Sequence, residues 1–226
     1  MSLGYIDPKD FRPIRDIVYE IIRNAILDGR LEKGKRIMET TIADDLSISR
    51  TPVREAFRML ENEGLIEYFP KTGIIVKGIT LEDIVYIYDV REVLEGLAVH
   101  KACMFITKEE INKLKEILRL MEQAIDNKDN ESLFMLHSKY NKIIIDASQN
   151  PKLIEYLTNI YEYINSFRKI TLSYNERKII SLKEHIQIVE YLEAGDAVNG
   201  EKYCREHIRV AKQILLESAG RKLIIK

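Results

Sequence analysis

Apolar residues recur at Ile14, Ile17, Val18, Ile21, Ile22, Ala25 and Ile26, a three-and-four spacing that lines one face of a helix. The pattern predicts a helix from Arg12 to Asp28, stopped at Gly29. Lys33-Gly34-Lys35 reads as a turn, and Thr40 or Thr41 as the cap of a short helix through Leu46 that turns Ile42 and Leu46 inward. Ser47-Ile48-Ser49 redirects the chain. A second helix from about Thr51 to Asn62 then buries Val53, Ala56, Phe57 and Leu60. Ser49 or Thr51 suits its cap, Pro52 its first turn and Gly64 its end. The period then shortens. Leu65-Ile66-Glu67-Tyr68-Phe69 reads as a strand, Pro70-Lys71-Thr72-Gly73 as a turn and Ile74-Ile75-Val76 as a second strand. This order makes a winged helix-turn-helix, with Lys71-Thr72-Gly73 at the tip of the wing.

Beyond Ile79 the period is helical throughout. Helices are predicted from Thr80 to about Phe105, from the capping-box signature Thr107-Lys108-Glu109-Glu110, from about Glu131 to Ala147, from Lys152 to about Ile170, from about Arg177 to Glu193, and from Ala197 to about Ala219. Asn150-Pro151 and Ala194-Gly195-Asp196 mark two of the breaks between them. About six helices with short connections predict an antiparallel bundle. The fold class is therefore mainly α, with a winged helix-turn-helix over residues 1–78 and an all-helical unit over 79–226.

Composition narrows the function. The chain has 226 residues, 46% of them hydrophobic, and no apolar run approaches the roughly 20 residues of a membrane span. Its start carries no secretory signal, and Cys103 and Cys204 match no zinc or redox spacing, so both are read as core residues. A soluble, cytoplasmic protein is expected. Net charge is −1, and Met1–Gly78 holds 13 basic and 13 acidic residues, so any affinity for DNA must come from a local patch. One is visible. Arg50, Arg54 and Arg58 form a stripe opposite the apolar face of their helix. Arg50 and Arg54 stand near its N-terminal end, where guanidinium forks can reach bases and phosphates in a major groove. The plainer alternative is a solvated basic face, with Arg54 or Arg58 paired to Asp44, Asp45 or Glu61.

The run from Thr40 to Val76 resembles the GntR superfamily of bacterial transcription regulators. The resemblance is carried by Ser49-Arg50-Thr51-Pro52-Val53-Arg54-Glu55-Ala56, Leu60-Glu61-Asn62-Glu63-Gly64-Leu65-Ile66 and Pro70-Lys71-Thr72-Gly73. The remainder is similar to the FCD effector domain of the FadR-like branch, through Arg91-Glu92-Val93-Leu94-Glu95, Ala147-Ser148-Gln149-Asn150-Pro151, Glu184-His185, Gly195-Asp196 and Glu206-His207. The resemblance implies a homodimer on a palindromic double-stranded DNA operator, a repressor by preference, released or tightened by a small molecule. It implies DNA contacts at Ser49, Arg50, Thr51 and Arg54, and wing contacts around Lys71 and Gly73. Some relatives carry a further DNA-contacting arginine where this chain has Thr40, a contact that is either missing or taken over by Lys35 or Arg36.

Three of the four histidines are expected to meet. Gly195 lies 10 residues after His185 and 12 before His207, so an antiparallel helix pair sets them side by side. His137 stands on a separate helix, one turn from Asn141. Imidazoles from several helices suit zinc or another divalent transition ion such as nickel. Many FCD domains hold a metal with an Asp and a His four apart plus two further histidines. Aligned from Asn150-Pro151, His137 takes the Asp slot and Asn141 the His slot, so His137, Asn141, His185 and His207 form a carboxylate-free set. It holds metal through three histidines, or holds the effector by hydrogen bonds without metal. Arg91, on the inward stripe of its helix, is expected to pair with Glu95 or with the carboxylate of a small organic acid. Arg168 is a weaker candidate for the same role, and His100 reads as structural. A helical metallohydrolase tethered to DNA is the competing reading. It lacks the carboxylate base that metal-assisted hydrolysis usually needs, and no nucleotide or nucleophile motif appears. A DNA-binding dimer with a degenerate pocket is the third.

Overall fold

The computed structural model describes residues 3, 5–7, 9–70, 73–171 and 175–224. The chain divides into two compact units, Met1–Thr80 and Leu81–Lys226. In the first, α1 (Ile14–Leu27) packs on α3 (Arg50–Asn62), with α2 (Glu39–Leu46) against α3. The apolar spacing explains the packing: Val18, Ile22 and Ala25 of α1 and Val53, Ala56 and Leu60 of α3 are fully buried. Each such Leu, Ile or Val contributes about 1.5–3 kcal/mol relative to an exposed position. Arg23 lies on this face too, and is buried because its Nε donates to Glu63 Oε1 at 2.6 Å, while Tyr19 Oη donates to Glu63 Oε2 at 2.7 Å.

The sheet differs from the expected hairpin. The strands β2 (Ile66–Phe69) and β3 (Gly73–Val76) pair antiparallel, and a third, β1 (Arg36–Ile37), pairs with the other edge of β3, giving the order β1-β3-β2. Two residues are too few to show alternation, which is why β1 was invisible in the sequence. The helix starts also differ. Neither Thr40 nor Thr41 caps α2, which starts at Glu39 after an extended Met38. Ser49 precedes α3 with extended backbone, makes no capping hydrogen bond through its side chain, and leaves Arg50 as the first helical residue.

Among the described residues the second unit is built from α4 (Leu81–Phe105), α5 (Lys108–Asp126), α6 (Asn130–Ala147), α7 (Pro151–Thr171), α8 (Asn175–Ala194) and α9 (Ala197–Ile224). The expected capping box is present: Glu110 N donates to Thr107 Oγ1 at 3.2 Å, and Thr107 N to Glu110 Oε2 at 2.8 Å. Leu114, Met121, Leu133, Ile188 and Leu192 centre the core among α5, α6 and α8. The helices α4 and α9 lie against each other so closely that a Cβ on Gly96 would stand 2.7 Å from Cγ of Arg205, a contact only glycine permits without a shift.

Both cysteines sit in this unit, and burial pushes their thiols up, Cys103 to about 11 and Cys204 well above its usual value. The thiolate is the reactive form, so Cys103 is expected to react with iodoacetamide at pH 8 about two orders of magnitude more slowly than a thiol of ordinary pKa. Labelling kinetics before and after unfolding in urea check this. Fast modification of the native chain at either position would contradict it.

Candidate DNA interface and ligand pocket

Arg50, Thr51, Arg54 and Arg58 are all exposed on α3, as is Ser49 just before it. The helix turns its apolar side to the core and so leaves this row to solvent. Arg54 is held by Glu39, the first residue of α2, rather than by Asp44, Asp45 or Glu61. Its Nε lies 3.1 Å from both carboxylate oxygens and its Nη2 2.9 Å from Oε2. This pairing raises the pKa of the guanidinium. Thr40 is half-buried on α2.

At the wing, Gly73 adopts φ +89° where β3 begins, paired with Phe69 across the hairpin. The Arg36 side chain comes from β1 and lies over it, with Nε 3.3 Å from where a Cβ would stand. Glycine therefore serves twice, for a conformation other residues rarely adopt and for close approach. Of the wing residues expected from the sequence, Lys71 and Thr72 lie outside the described residues.

The three histidines do meet. The His137 and His185 ring centroids are 5.0 Å apart, and those of His185 and His207 are 4.9 Å apart. They come from α6, α8 and α9, and all three are buried. They line a cavity of about 70 Å³ together with Asn141, Arg91, Arg177, Lys178, Ser181 and Tyr88, room for several waters or a small ligand. A smaller cavity of about 20 Å³ adjoins it, sharing Asn141, His185 and His207 and adding Glu95, Tyr140, Tyr161 and Cys204. Zn–N bonds of about 2 Å would set the rings of two tetrahedral ligands about 5 Å apart. Yet no group of three or more His, Cys, Asp or Glu side chains among the described residues is arranged to hold a metal ion. His207 Nδ1 meets Glu184 Oε2 at 2.5 Å, which leaves its Nε2 as the nitrogen a ligand or ion could use. Ring spacing and ligand type fit a transition ion.

Arg91 takes the first of its expected partners, Glu95, and also lines the cavity. Its Nε donates to Glu95 Oε1 at 2.5 Å, its Cζ lies 5.1 Å from the Tyr88 ring centroid and 5.8 Å from that of Tyr161, and it lines the larger cavity. Burial pulls its pKa down, but the adjacent Glu95 carboxylate more than offsets this and holds the guanidinium charged. Burial and the neighbouring Glu95 raise the Tyr161 hydroxyl well above the usual phenol range. His100 stands apart from the cavity, with Nδ1 2.9 Å from Glu201. The side chain of Arg168 lies outside the described residues.

Arg177 and Lys178 were missed as pocket residues, and Glu184 as the carboxylate that meets Arg177 and His207. Arg177 and Lys178 are buried cations; Arg177 Nη1 donates to Glu184 Oε2 at 2.7 Å and Lys178 Nζ to Asn130 Oδ1 at 2.7 Å. Burial raises the Glu184 pKa, but the His207 hydrogen bond and the Arg177 charge outweigh it and leave the carboxyl below its ordinary value. A signal existed: Arg177, Ser181 and His185 stand four apart on one helix face. The polar run Asn175-Glu176-Arg177-Lys178 concealed it by reading as a solvated helix start.

Residues 86–210 match the FCD domain and residues 14–76 match the bacterial regulatory proteins of the gntR family. The chain belongs to the GntR family. It is similar to the uncharacterized HTH-type transcriptional regulator YdhC of Bacillus subtilis, 29% identical over 84% of this chain and 85% of that one. It is also similar to the HTH-type transcriptional repressor RspR of Escherichia coli, 22% identical over 88% and 87%. The fold matches the solved structure of McbR/YncC from E. coli with a TM-score of 0.66 at 21% identity, covering 91% of this chain and 98% of that one. As a GntR-family member with an FCD domain, the protein is a DNA-binding transcription regulator and not an enzyme, which removes the metallohydrolase reading. Among the described residues, no helix is long and apolar enough to cross a membrane.

Proposed function

We propose that this GntR-family regulator is a cytoplasmic repressor of the FadR-like branch, binding a palindromic operator as a homodimer and responding to a small organic acid held in the FCD cavity. The observation that carries the effector reading is the cavity itself, which three buried cations, Arg91, Arg177 and Lys178, and three buried imidazoles line. Buried charge is tolerated beside opposite charge, and this cationic lining suits an anionic ligand. Arg91 and Arg177 offer forked donors to a carboxylate. Ser49, Arg50, Thr51, Arg54, Lys71 and Gly73 are the proposed operator contacts, with Arg36 as a wing cation in place of the arginine absent at Thr40. A dimer is supported by Tyr86, Val90 and Val93, an exposed apolar stripe along α4, and two-fold symmetry in the protein calls for a palindromic site. The effector acts by binding one arrangement of the DNA-reading units better than another.

A second reading adds zinc or nickel, bound through His137, His185 and His207 with Asn141 alongside. The 5.0 and 4.9 Å ring spacings favour it. When bound, the ion would draw the effector carboxylate by charge.

Thermal unfolding of the intact chain with a panel of small mono- and dicarboxylic acids tests both readings, once with EDTA and once with added zinc. A true effector at about 100 times its Kd stabilises the native state by about 2.7 kcal/mol. A shift seen with EDTA supports metal-free binding, and one that needs zinc supports the second reading. Arg177→Ala should abolish either. No shift with any acid under both conditions refutes the carboxylate pocket.

A further inference from the structure

We propose that Glu39 is a positioning residue for base reading by Arg54. The two side chains meet in a two-point contact: Glu39 takes the Nε and Nη2 side of the guanidinium, at 3.1 and 2.9 Å. A guanidinium is planar and carries five N–H donors in fixed directions. With its Nε–Nη2 side engaged, the end-on Nη1–Nη2 edge points away from the carboxylate. That edge has the two parallel donors that match O6 and N7 of a guanine in the major groove.

Two further facts support this. The Arg54 side chain is 59% exposed and that of Glu39 26% exposed, so the carboxylate is anchored at the protein surface while the arginine projects from it. The contact also links α2 to α3, across the αL turn at Ser47 (φ 55°), which ties the reading side chain to rigid helices on both sides. An arginine held in advance loses less side-chain freedom on binding and tolerates fewer alternative partners.

A carboxylate at a DNA-facing surface also repels phosphates. Glu39 therefore weakens binding to any duplex while sharpening binding to the right one. This opposition gives the test, which rests on Arg54 reaching a base and is arranged to expose a failure of that premise separately. The full chain first selects its preferred duplex from a randomised library. Affinities of the wild type, Glu39→Ala, Glu39→Gln, Arg54→Ala and the Glu39→Ala/Arg54→Ala pair are then measured by fluorescence anisotropy. The probes are the selected duplex and a scrambled duplex of equal length at one salt concentration, and circular dichroism verifies folding.

Both Glu39 variants should lose about tenfold on the selected duplex, within the range of one good base contact, and hold or gain affinity for the scrambled one. The double variant should bind no more weakly than Arg54→Ala, because the two residues act as one unit. Selection repeated with Glu39→Ala should relax the same base pair that Arg54→Ala relaxes. If both Glu39 variants keep wild-type affinity and base preference, or bind the selected duplex more tightly, while Arg54→Ala loses binding, Glu39 is a competitor of DNA and the proposal is overturned. If Arg54→Ala itself keeps full specific affinity, the premise about Arg54 fails instead.

Discussion

Arg91→Ala is expected to remove about 3–5 kcal/mol of stability, the usual cost of deleting one partner of a buried ion pair. Arg91 and Glu95 are 6% and 8% exposed, so neither can turn to water when the other is lost. The Glu95 carboxylate would keep a hydrogen bond from Tyr161, but a neutral phenol does not replace a cation. Urea unfolding followed by far-UV circular dichroism measures the loss. Arg91→Leu combined with Glu95→Leu should recover most of it, because a buried pair exchanged for apolar residues of similar volume is often neutral or stabilising. The double variant also separates folding from function. If Arg91 is a ligand donor as well, this chain regains stability yet shows a weaker thermal shift with the organic acid. A loss below about 1 kcal/mol for Arg91→Ala would mean that Glu95 is satisfied without it.

The second large effect belongs to α3. Arg50→Ala and Arg54→Ala should each cost about 1–3 kcal/mol of specific binding. Together they should bring the selected duplex down to the affinity of a scrambled one. The first unit is electrically neutral, with 13 basic and 13 acidic residues over Met1–Gly78, so little diffuse attraction remains to compensate. Salt titration separates the roles of the two residues. Losing a phosphate contact lowers the slope of log K against log salt by about 1, whereas losing a base contact leaves the slope nearly unchanged and relaxes sequence preference. Unaltered affinity for the selected duplex in the double variant would remove this pair from the interface.

The helices were legible because each buries one stripe, and burial imposes the three-and-four spacing that sequence displays. The capping box at Thr107 was legible for a similar reason: its partners are three residues apart and need no tertiary neighbour. Caps at Thr40, Thr41, Ser49 and Thr51 were over-read, since residue type permits a capping hydrogen bond without requiring it. The strand β1 was hidden because its pairing with β3 joins residues nearly forty apart, Arg36 with Ile75. The meeting of His185 with His207 could be counted from the turn at Gly195. The burial of Arg177 and Lys178 could not, because a cation's exposure is set by what packs over it.

By itself the sequence determined the helical periods, the winged helix-turn-helix order, the arginine row on α3 and the residues belonging to a GntR-type reader and an FCD domain. These follow from local spacing and residue chemistry. The tertiary structure alone decided which charges meet. It put Glu39 on Arg54, Glu63 on Arg23 and Glu184 between Arg177 and His207, and it enclosed three cations and three imidazoles around one cavity. Charge acts through space and depends on burial, and neither separation nor burial is written in the order of residues along the chain.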